Sequence, residues 1–206
     1  MKSNHIIYSG KAIADAKKVL ILLHGRGADA QDILSVSRYL SVNDFAMIAP
    51  EAFGNSWYPY SFLAPAAQNE PALSNALQMI DDLVKKLENK GIKNEQIYFA
   101  GFSQGACLAL EYTARNAGKW GGVVAFTGGL IGDKIYAERY TGDFQLTPVF
   151  IGTSDPDPHV PVDRVNESVA LLKSLNAVVV VKIYPRMGHT INEDVFAQAN
   201  KHVFKE

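Results

Sequence analysis

The chain has 206 residues, of which 48% are hydrophobic and 20% charged, and its formal net charge is −1. This length and composition predict one globular domain, residues 1–206, and the balanced charge indicates neither a nucleic-acid partner nor a membrane-surface partner. One cysteine, Cys107, excludes an intrachain disulfide. Because no apolar run is long enough for a signal peptide or a stable membrane insertion, we expect a cytoplasmic protein.

Short apolar runs alternate with helical patterns along the first half of the chain. Residues 19–23 are apolar throughout, as in a strand buried on both faces, and residues 45–49 form a second such run. Apolar residues at helical spacing predict helices over residues 29–40, with Asp29 as the N-cap, and over residues 73–87. Between them, residues 51–71 contain prolines and aromatic residues with little periodicity. They predict a long loop, and a loop of this length is usually functional.

The same alternation continues in the second half. It predicts strands over residues 97–100, 123–126, 149–151 and 178–183, and helices over residues 104–117, 165–175 and 195–203. Strands that alternate with helices indicate an α/β fold with a mostly parallel central sheet and helices on both faces. In such sheets, ligand sites lie beyond the carboxyl ends of the strands.

A candidate nucleophile follows the strand predicted over residues 97–100. Residues 101–105 read G-F-S-Q-G, which fits the G-x-S-x-G pattern, and a predicted helix comes next. This strand–turn–helix setting is the one in which the pattern places a serine on a strained turn, with glycines removing clashes on either side. The sequence therefore predicts Ser103 as the nucleophile of a serine hydrolase.

A serine nucleophile requires a histidine base and a carboxylate that orients it, in the chain order Ser, acid, His on this type of fold. Of the five histidines, His189 fits best, because it follows the last predicted strand. The loop after the preceding strand offers two acids, Asp155 and Asp157, which alternate with prolines. Spacing alone does not choose between these two carboxylates.

The glycine-rich turn after the first buried strand predicts an oxyanion site. The backbone N–H of Arg26, paired with that of Gln104, would point toward the serine. Residues 25–30, G-R-G-A-D-A, also fit a dinucleotide fingerprint, with Glu51 near a ribose. This gives a second hypothesis, a dinucleotide-binding protein that uses the Gly25–Gly27 loop, and a third is a non-catalytic binding protein on a hydrolase scaffold. No metal site is expected.

The motifs together resemble the phospholipase/carboxylesterase family of α/β-hydrolases, which includes the acyl-protein thioesterases. They are L-H-G-R-G at residues 23–27, S-W-Y at 56–58, G-F-S-Q-G at 101–105, D-P-H-V-P at 157–161 and G-H at 188–189. The resemblance implies an α/β-hydrolase fold with a minimal cap and a cofactor-free esterase or thioesterase. It also implies the catalytic triad Ser103, Asp157 and His189.

Two departures from the family pattern bear on this interpretation. The chain has two extra residues before D-P-H-V-P, so Asp155 stands at the usual distance from Gly152 and remains the alternative acid. The family's W-F-D is W-Y-P at residues 57–59, which leaves ester and thioester substrates both open. We expect a small-molecule ester or acyl substrate, with Trp57, the 51–71 loop and His24 contacting it.

Overall fold

The computed structural model describes residues 5–204; residues 1–4 and 205–206 of the predicted domain lie outside this range. Seven strands form one sheet: β1 (Ile6–Gly10), β2 (Val19–Leu23), β3 (Ala46–Pro50), β4 (Ile97–Phe102), β5 (Gly122–Phe126), β6 (Pro148–Asp155) and β7 (Val178–Pro185). Their order across the sheet is β1-β3-β2-β4-β5-β6-β7. β1 is antiparallel to β3, whereas all other neighbouring pairs are parallel. This confirms the mostly parallel sheet.

Helices cover both faces of the sheet. They are α1 (Ala30–Ser35), α2 (Ala72–Glu88), α3 (Gln104–Arg115), α4 (Val162–Ser174) and α5 (Glu193–Ala199). All five residues of β2 are buried, and their side chains alternate between two apolar cores. Ile21 and Leu23 join the core beneath α2, α3 and α4, whereas Leu20 and Leu22 join the core beneath α1 and α5. Burial on both faces explains the uninterrupted apolar run.

Two predicted helices are shorter than expected. Asp29 caps α1 as predicted, through a capping box with Asp32, but the α-helix ends at Ser35 and a 3₁₀ turn, Val36–Tyr39, follows. The C-terminal helix likewise stops at Ala199 and continues as a π-helical turn over residues 200–204. The side chain of Asn200, at the start of this turn, connects it to the segment that follows α1. It accepts from Ser41 N–H at 2.9 Å and donates to the Tyr39 carbonyl at 2.9 Å.

Several strands differ from the prediction, and three of the differences bear on the site or the sheet edge. β1 was not predicted, because it is a short edge strand whose last three residues are exposed and lack an apolar alternation. β6 and β7 run further than expected, since their pairing continues to the register of Asp155 with Pro185. The extension of these two strands carries the backbone toward the loops that hold the candidate acid and base.

The long loop over residues 51–71 contains only two 3₁₀ turns, Phe53–Asn55 and Ala66–Asn69, in agreement with the prediction. It is nevertheless well packed. Asn69 is fully buried, and its side chain accepts from Tyr60 N–H at 2.9 Å and donates to the Ser61 carbonyl at 3.0 Å. This internal bonding gives the loop a defined course across the carboxyl ends of the strands.

Candidate active site

Ser103 lies on the tight turn between β4 and α3. Its φ of 53° and ψ of −116° are a strained combination for a residue with a side chain. The Ser103 N–H donates to the Phe126 carbonyl at 2.9 Å, which ties the turn to β5. A Cβ on Gly101 would meet the backbone of Gly105, and a Cβ on Gly105 would meet the backbone of Leu23. The two glycines therefore permit the close approach that the pattern predicts.

His189 lies in the loop after β7, within reach of Ser103. Its Nε2 is 2.8 Å from Ser103 Oγ, a hydrogen-bond distance. The loop is held at Gly188, where φ is 79° and the N–H donates to Ser154 Oγ at 2.8 Å. The imidazole also contacts the ring of Phe102, with 5.2 Å between centroids. These contacts aim the ring at the serine.

Asp157, and not Asp155, contacts His189. The Asp157 Oδ2 is 2.9 Å from His189 Nδ1, and the carboxylate side chain is fully buried. Asp155 ends β6 as an exposed residue. The Asp157 carboxylate accepts a hydrogen bond from Nδ1–H, so the ring proton stays on Nδ1. Nε2 is therefore unprotonated and can accept the proton of the serine hydroxyl.

Backbone donors hold the Asp157 carboxylate ionised. Its Oδ1 accepts from the N–H groups of His159 at 2.7 Å and Val160 at 2.9 Å. Burial opposes ionisation, but these two hydrogen bonds and that of His189 outweigh it and lower the pKa of Asp157 below its usual value. The carboxylate is thus charged at every pH at which the imidazole is expected to act as a base.

The predicted oxyanion residues flank Ser103. Gln104 is the first residue of α3, so its N–H has no acceptor within the helix. On the other side, a Cβ built on Gly25 would lie 3.7 Å from the Cβ of Ser103, which brings the Gly25–Arg26 turn against the nucleophile. The role of the Arg26 and Gln104 N–H groups as oxyanion donors stays a prediction.

The side chains of the same two residues have a second role that the sequence did not indicate. The Arg26 guanidinium donates to the carbonyls of Pro59 at 2.9 Å and Tyr60 at 2.7 Å. The Gln104 amide accepts from Trp57 N–H at 3.0 Å and donates to the Tyr58 carbonyl at 2.8 Å. The Gln104 side chain therefore binds the long loop to the turn that holds Ser103, and the Arg26 side chain binds it to the Gly25–Arg26 turn.

His24 and Trp57, which are expected to contact the substrate, are buried in this structure. The two residues are 0% and 3% exposed, and their rings pack against each other with 4.8 Å between centroids. Trp57 Nε1 donates to the His24 carbonyl at 2.9 Å, and His24 Nε2 accepts from Ala52 N–H at 3.0 Å. Burial lowers the pKa of His24, which favours the neutral ring that this acceptor role requires. Both residues brace the loop from inside.

The dinucleotide hypothesis does not fit the start of α1. A pyrophosphate would need free N–H groups there, but Asp29 Oδ1 accepts from Asp32 N–H at 2.8 Å and Glu51 Oε2 accepts from Ala30 N–H at 3.3 Å. Glu51 also pairs with His5 at 3.5 Å. Two carboxylates thus occupy the positions that an anionic ligand would take.

Two kinds of feature are absent from residues 5–204. Between residues 5 and 204, no three or more His, Cys, Asp or Glu side chains are grouped as a metal site. Over the same range, no helix has the length and apolar character needed to cross a membrane.

Comparison with known proteins places this geometry in a family. The profile of the family described as Phospholipase/Carboxylesterase matches residues 5–206. The chain belongs to the phospholipase/carboxylesterase family. Acyl-protein thioesterase 1 from Saccharomyces cerevisiae is 32% identical over 169 residues, which cover 73% of this chain and 74% of the yeast protein.

Solved structures agree in fold. The phospholipase/carboxylesterase from Dyadobacter fermentans superposes with a TM-score of 0.97 at 54% identity, covering 98% of this chain and 97% of that one. The Bacillus cereus carboxylesterase superposes with a TM-score of 0.79 at 19% identity, covering 97% and 93% of the two chains. These matches confirm the α/β-hydrolase fold, and the family supports a hydrolase function of the esterase or acyl thioesterase type.

Proposed function

We propose that this family member is a serine hydrolase that cleaves carboxylic esters or thioesters through an acyl-enzyme. One observation carries the proposal: Ser103 Oγ, His189 and Asp157 form a continuous chain of hydrogen bonds, at 2.8 Å and 2.9 Å. A buried carboxylate, an imidazole of fixed tautomer and a serine on a strained turn are the parts that nucleophilic acyl transfer requires.

The proposed reaction has two halves. His189 Nε2 takes the hydroxyl proton as Ser103 Oγ attacks the acyl carbonyl, and the N–H groups of Arg26 and Gln104 stabilise the oxyanion. The protonated His189 then donates its proton to the leaving oxygen or sulfur, which departs and leaves an acylated Ser103. In the second half, His189 Nε2 takes a proton from water as the water oxygen attacks the acyl carbon. The bond between that carbon and Ser103 Oγ then breaks, the proton returns from His189 to Ser103 Oγ, and the carboxylic acid is released.

The names of the relatives suggest two substrate classes, acyl thioesters and carboxylic esters. The yeast relative is an acyl-protein thioesterase and the Bacillus cereus neighbour is a carboxylesterase. In this chain the position after Trp57 and Tyr58 is Pro59, where the family pattern has an aspartate. We therefore propose carboxylic esters and acyl thioesters as two substrate classes to be tested side by side.

Active-site labelling tests the nucleophile. A fluorophosphonate is expected to modify the intact protein at Ser103 and to leave Ser103→Ala unmodified, as read by peptide mapping. Ser174→Ala is the matched control, since Ser174 is exposed at the carboxyl end of α4. It should be labelled and should turn over p-nitrophenyl acetate like the unaltered protein. Labelling at a serine other than Ser103 would disprove the assignment.

Turnover separates the hydrolase from the remaining non-catalytic hypothesis. We expect hydrolysis of at least one substrate among short p-nitrophenyl esters, long p-nitrophenyl esters and S-acyl thioesters, with a loss of several orders of magnitude in Ser103→Ala. If the folded protein binds these compounds but turns over none, it is a binding protein on a hydrolase scaffold.

A further inference from the structure

A surface cavity of about 570 Å³ lies beside the proposed nucleophile and base. Its wall includes Phe102, the residue immediately before Ser103, and residues 190–193, which directly follow His189. The ring of Phe102 also contacts the imidazole of His189, with 5.2 Å between centroids. Phe102 therefore links the wall of the cavity to the imidazole of His189.

The cavity's chemistry is mainly apolar and aromatic. Tyr39 and Phe196 contribute stacked rings, with centroids 4.8 Å apart and planes inclined by 13°. Of the described residues that line it, Glu193 is the only one with a formal charge. Such a surface suits an apolar or aromatic group that is uncharged or cationic, because an anion would face the Glu193 carboxylate.

The path of the proton decides which part of a substrate lies on this side. After attack, the proton on His189 Nε2 has to reach the leaving atom, so that atom lies within hydrogen-bond distance of the imidazole. The remainder of the leaving group extends away from that atom on the His189 side of Ser103. The cavity lined by residues 190–193 lies on this side, because Phe102 in its wall contacts the imidazole.

We propose that this cavity is the leaving-group subsite, and that it takes the apolar or aromatic, uncharged or cationic alcohol or thiol portion of the substrate. The inference rests on the proposed hydrolase function. In the step it serves, the C–O or C–S bond of the tetrahedral intermediate breaks and the carbonyl re-forms on the acylated Ser103. The proton of His189 passes to the departing oxygen or sulfur, and a neutral alcohol or thiol is left in the cavity.

Acetate esters that differ only in their alcohol test the proposal. All of them give the same acetylated Ser103, so differences in kcat/KM arise before or during acylation. In the unaltered protein we expect benzyl acetate to exceed methyl acetate. In Tyr39→Ala the ratio of the two kcat/KM values should fall about five- to tenfold, in keeping with the loss of one stacked aromatic contact.

A matched control separates the subsite from a general effect. Tyr8 and Tyr39 are both 59% exposed, but Tyr8 lies on the edge strand β1 and does not line this cavity. Tyr8→Ala should keep the ratio of the unaltered protein. If Tyr39→Ala instead changes the preference among acyl chain lengths at a fixed alcohol, the cavity is an acyl site and the inference is wrong. An unchanged ratio also overturns it.

Acyl transfer to an added alcohol gives a second readout. By microscopic reversibility, an alcohol bound in the leaving-group subsite attacks the acyl-enzyme in competition with water. Benzyl alcohol should therefore divert acetyl groups to benzyl acetate, and Tyr39→Ala should lower this partition several-fold relative to Tyr8→Ala. An equal partition in the two variants would count against the subsite.

The charge of Glu193 in the cavity wall gives a third test. Glu193→Gln is expected to raise kcat/KM about two- to fivefold for the acetate ester of 4-hydroxybenzoate, an anion, relative to phenyl acetate. No change in this ratio would remove Glu193 from the subsite. Absence of both fluorophosphonate labelling and turnover in the unaltered protein would overturn the proposed function itself, whereas normal labelling with unchanged ratios would overturn the subsite alone.

Discussion

Replacing Asp157 by asparagine separates the charge of the acid from its geometry. Asp157 Oδ1 accepts from the backbone N–H groups of His159 and Val160, at 2.7 and 2.9 Å. An amide nitrogen cannot accept these bonds, so the asparagine has to place its carbonyl oxygen there. Its NH₂ group then takes the position of Oδ2, which is 2.9 Å from His189 Nδ1. The two backbone donors thus dictate the orientation of the new side chain.

This orientation reverses the tautomer of the base. With an N–H donor facing it, Nδ1 of His189 becomes an acceptor, so the ring proton moves to Nε2 and points at Ser103. A protonated Nε2 cannot remove the serine proton, and we expect kcat/KM to fall ~10⁴-fold, the loss typical of this change in serine hydrolases. The melting temperature should change little, since the backbone hydrogen bonds of the loop remain.

The assay is hydrolysis of p-nitrophenyl acetate, with thermal melting as the check on folding. Asp155→Asn is the matched control, two residues away in the same loop and exposed. It should retain activity close to that of the unaltered protein. If Asp157→Asn stays within about tenfold of that activity, or if Asp155→Asn loses several orders of magnitude, the assignment of the acid is wrong.

Three further predictions address the scaffold. Gly105→Ala should lower the melting temperature sharply or prevent folding, because its Cβ would meet the backbone of β2. Gly118→Ala is the control and should melt like the unaltered protein, since its Cβ would have only an ordinary contact at 3.8 Å. Equal melting temperatures of the two variants would refute the clash. Burial raises the pKa of the Cys107 thiol to about 12, so a disulfide reagent at pH 8 should react with it only after unfolding in urea, and rapid reaction of the native protein would contradict this. Burial lowers the pKa of His24 below 6.5, so the unfolded chain binds the proton first and the free energy of unfolding should fall as the pH drops below about 6.5. Urea titrations at pH 7.5 and 5.5 should show a larger loss for the unaltered protein than for His24→Gln, and equal losses would exclude this origin.

The sheet was the most predictable part of the structure. Central strands such as β2 are buried on both faces, so their sequence is apolar throughout and stands out from the surrounding pattern. The edge strand β1 escaped prediction because its last three residues are exposed and its sequence lacks an apolar alternation. The helix predicted over residues 29–40 was too long because the apolar spacing does not distinguish an α-helix from the 3₁₀ turn that follows Ser35.

The sequence motifs predicted the serine and the histidine of the proposed triad, but spacing alone did not choose the acid. Asp155 and Asp157 are two residues apart: Asp155 is the last residue of β6, and Asp157 lies in the loop that follows. Their difference lies in the path of the backbone, which turns two N–H groups toward Asp157 and leaves Asp155 exposed. Hydrogen bonds of this kind depend on backbone direction within a loop, which residue types alone do not encode.

The internal hydrogen bonds of His24 and Trp57 could not be predicted for a related reason. Aromatic residues near a reactive centre suggest substrate contact, but the carbonyl of His24 and the N–H of Ala52 also require partners inside the fold. The buried rings supply these partners. Likewise, Gln104 and Arg26 were chosen for their backbone N–H groups, and the hydrogen bonds of their side chains to residues 57–60 became visible only in three dimensions.

The loop after β5 is held as firmly as the long loop, and by buried charges. Glu111 is 0% exposed and accepts from Ile131 N–H at 3.0 Å, and Arg164, 7% exposed, donates to the carbonyl of Asp133 at 2.9 Å. Removing either charged group would leave buried backbone groups without partners, so these segments resist change.

The proposed leaving-group subsite is built differently, since Tyr39 is 59% exposed. Substitutions at Tyr39 are therefore the least costly route to a new alcohol preference, because they leave the triad and its fixed loops in place.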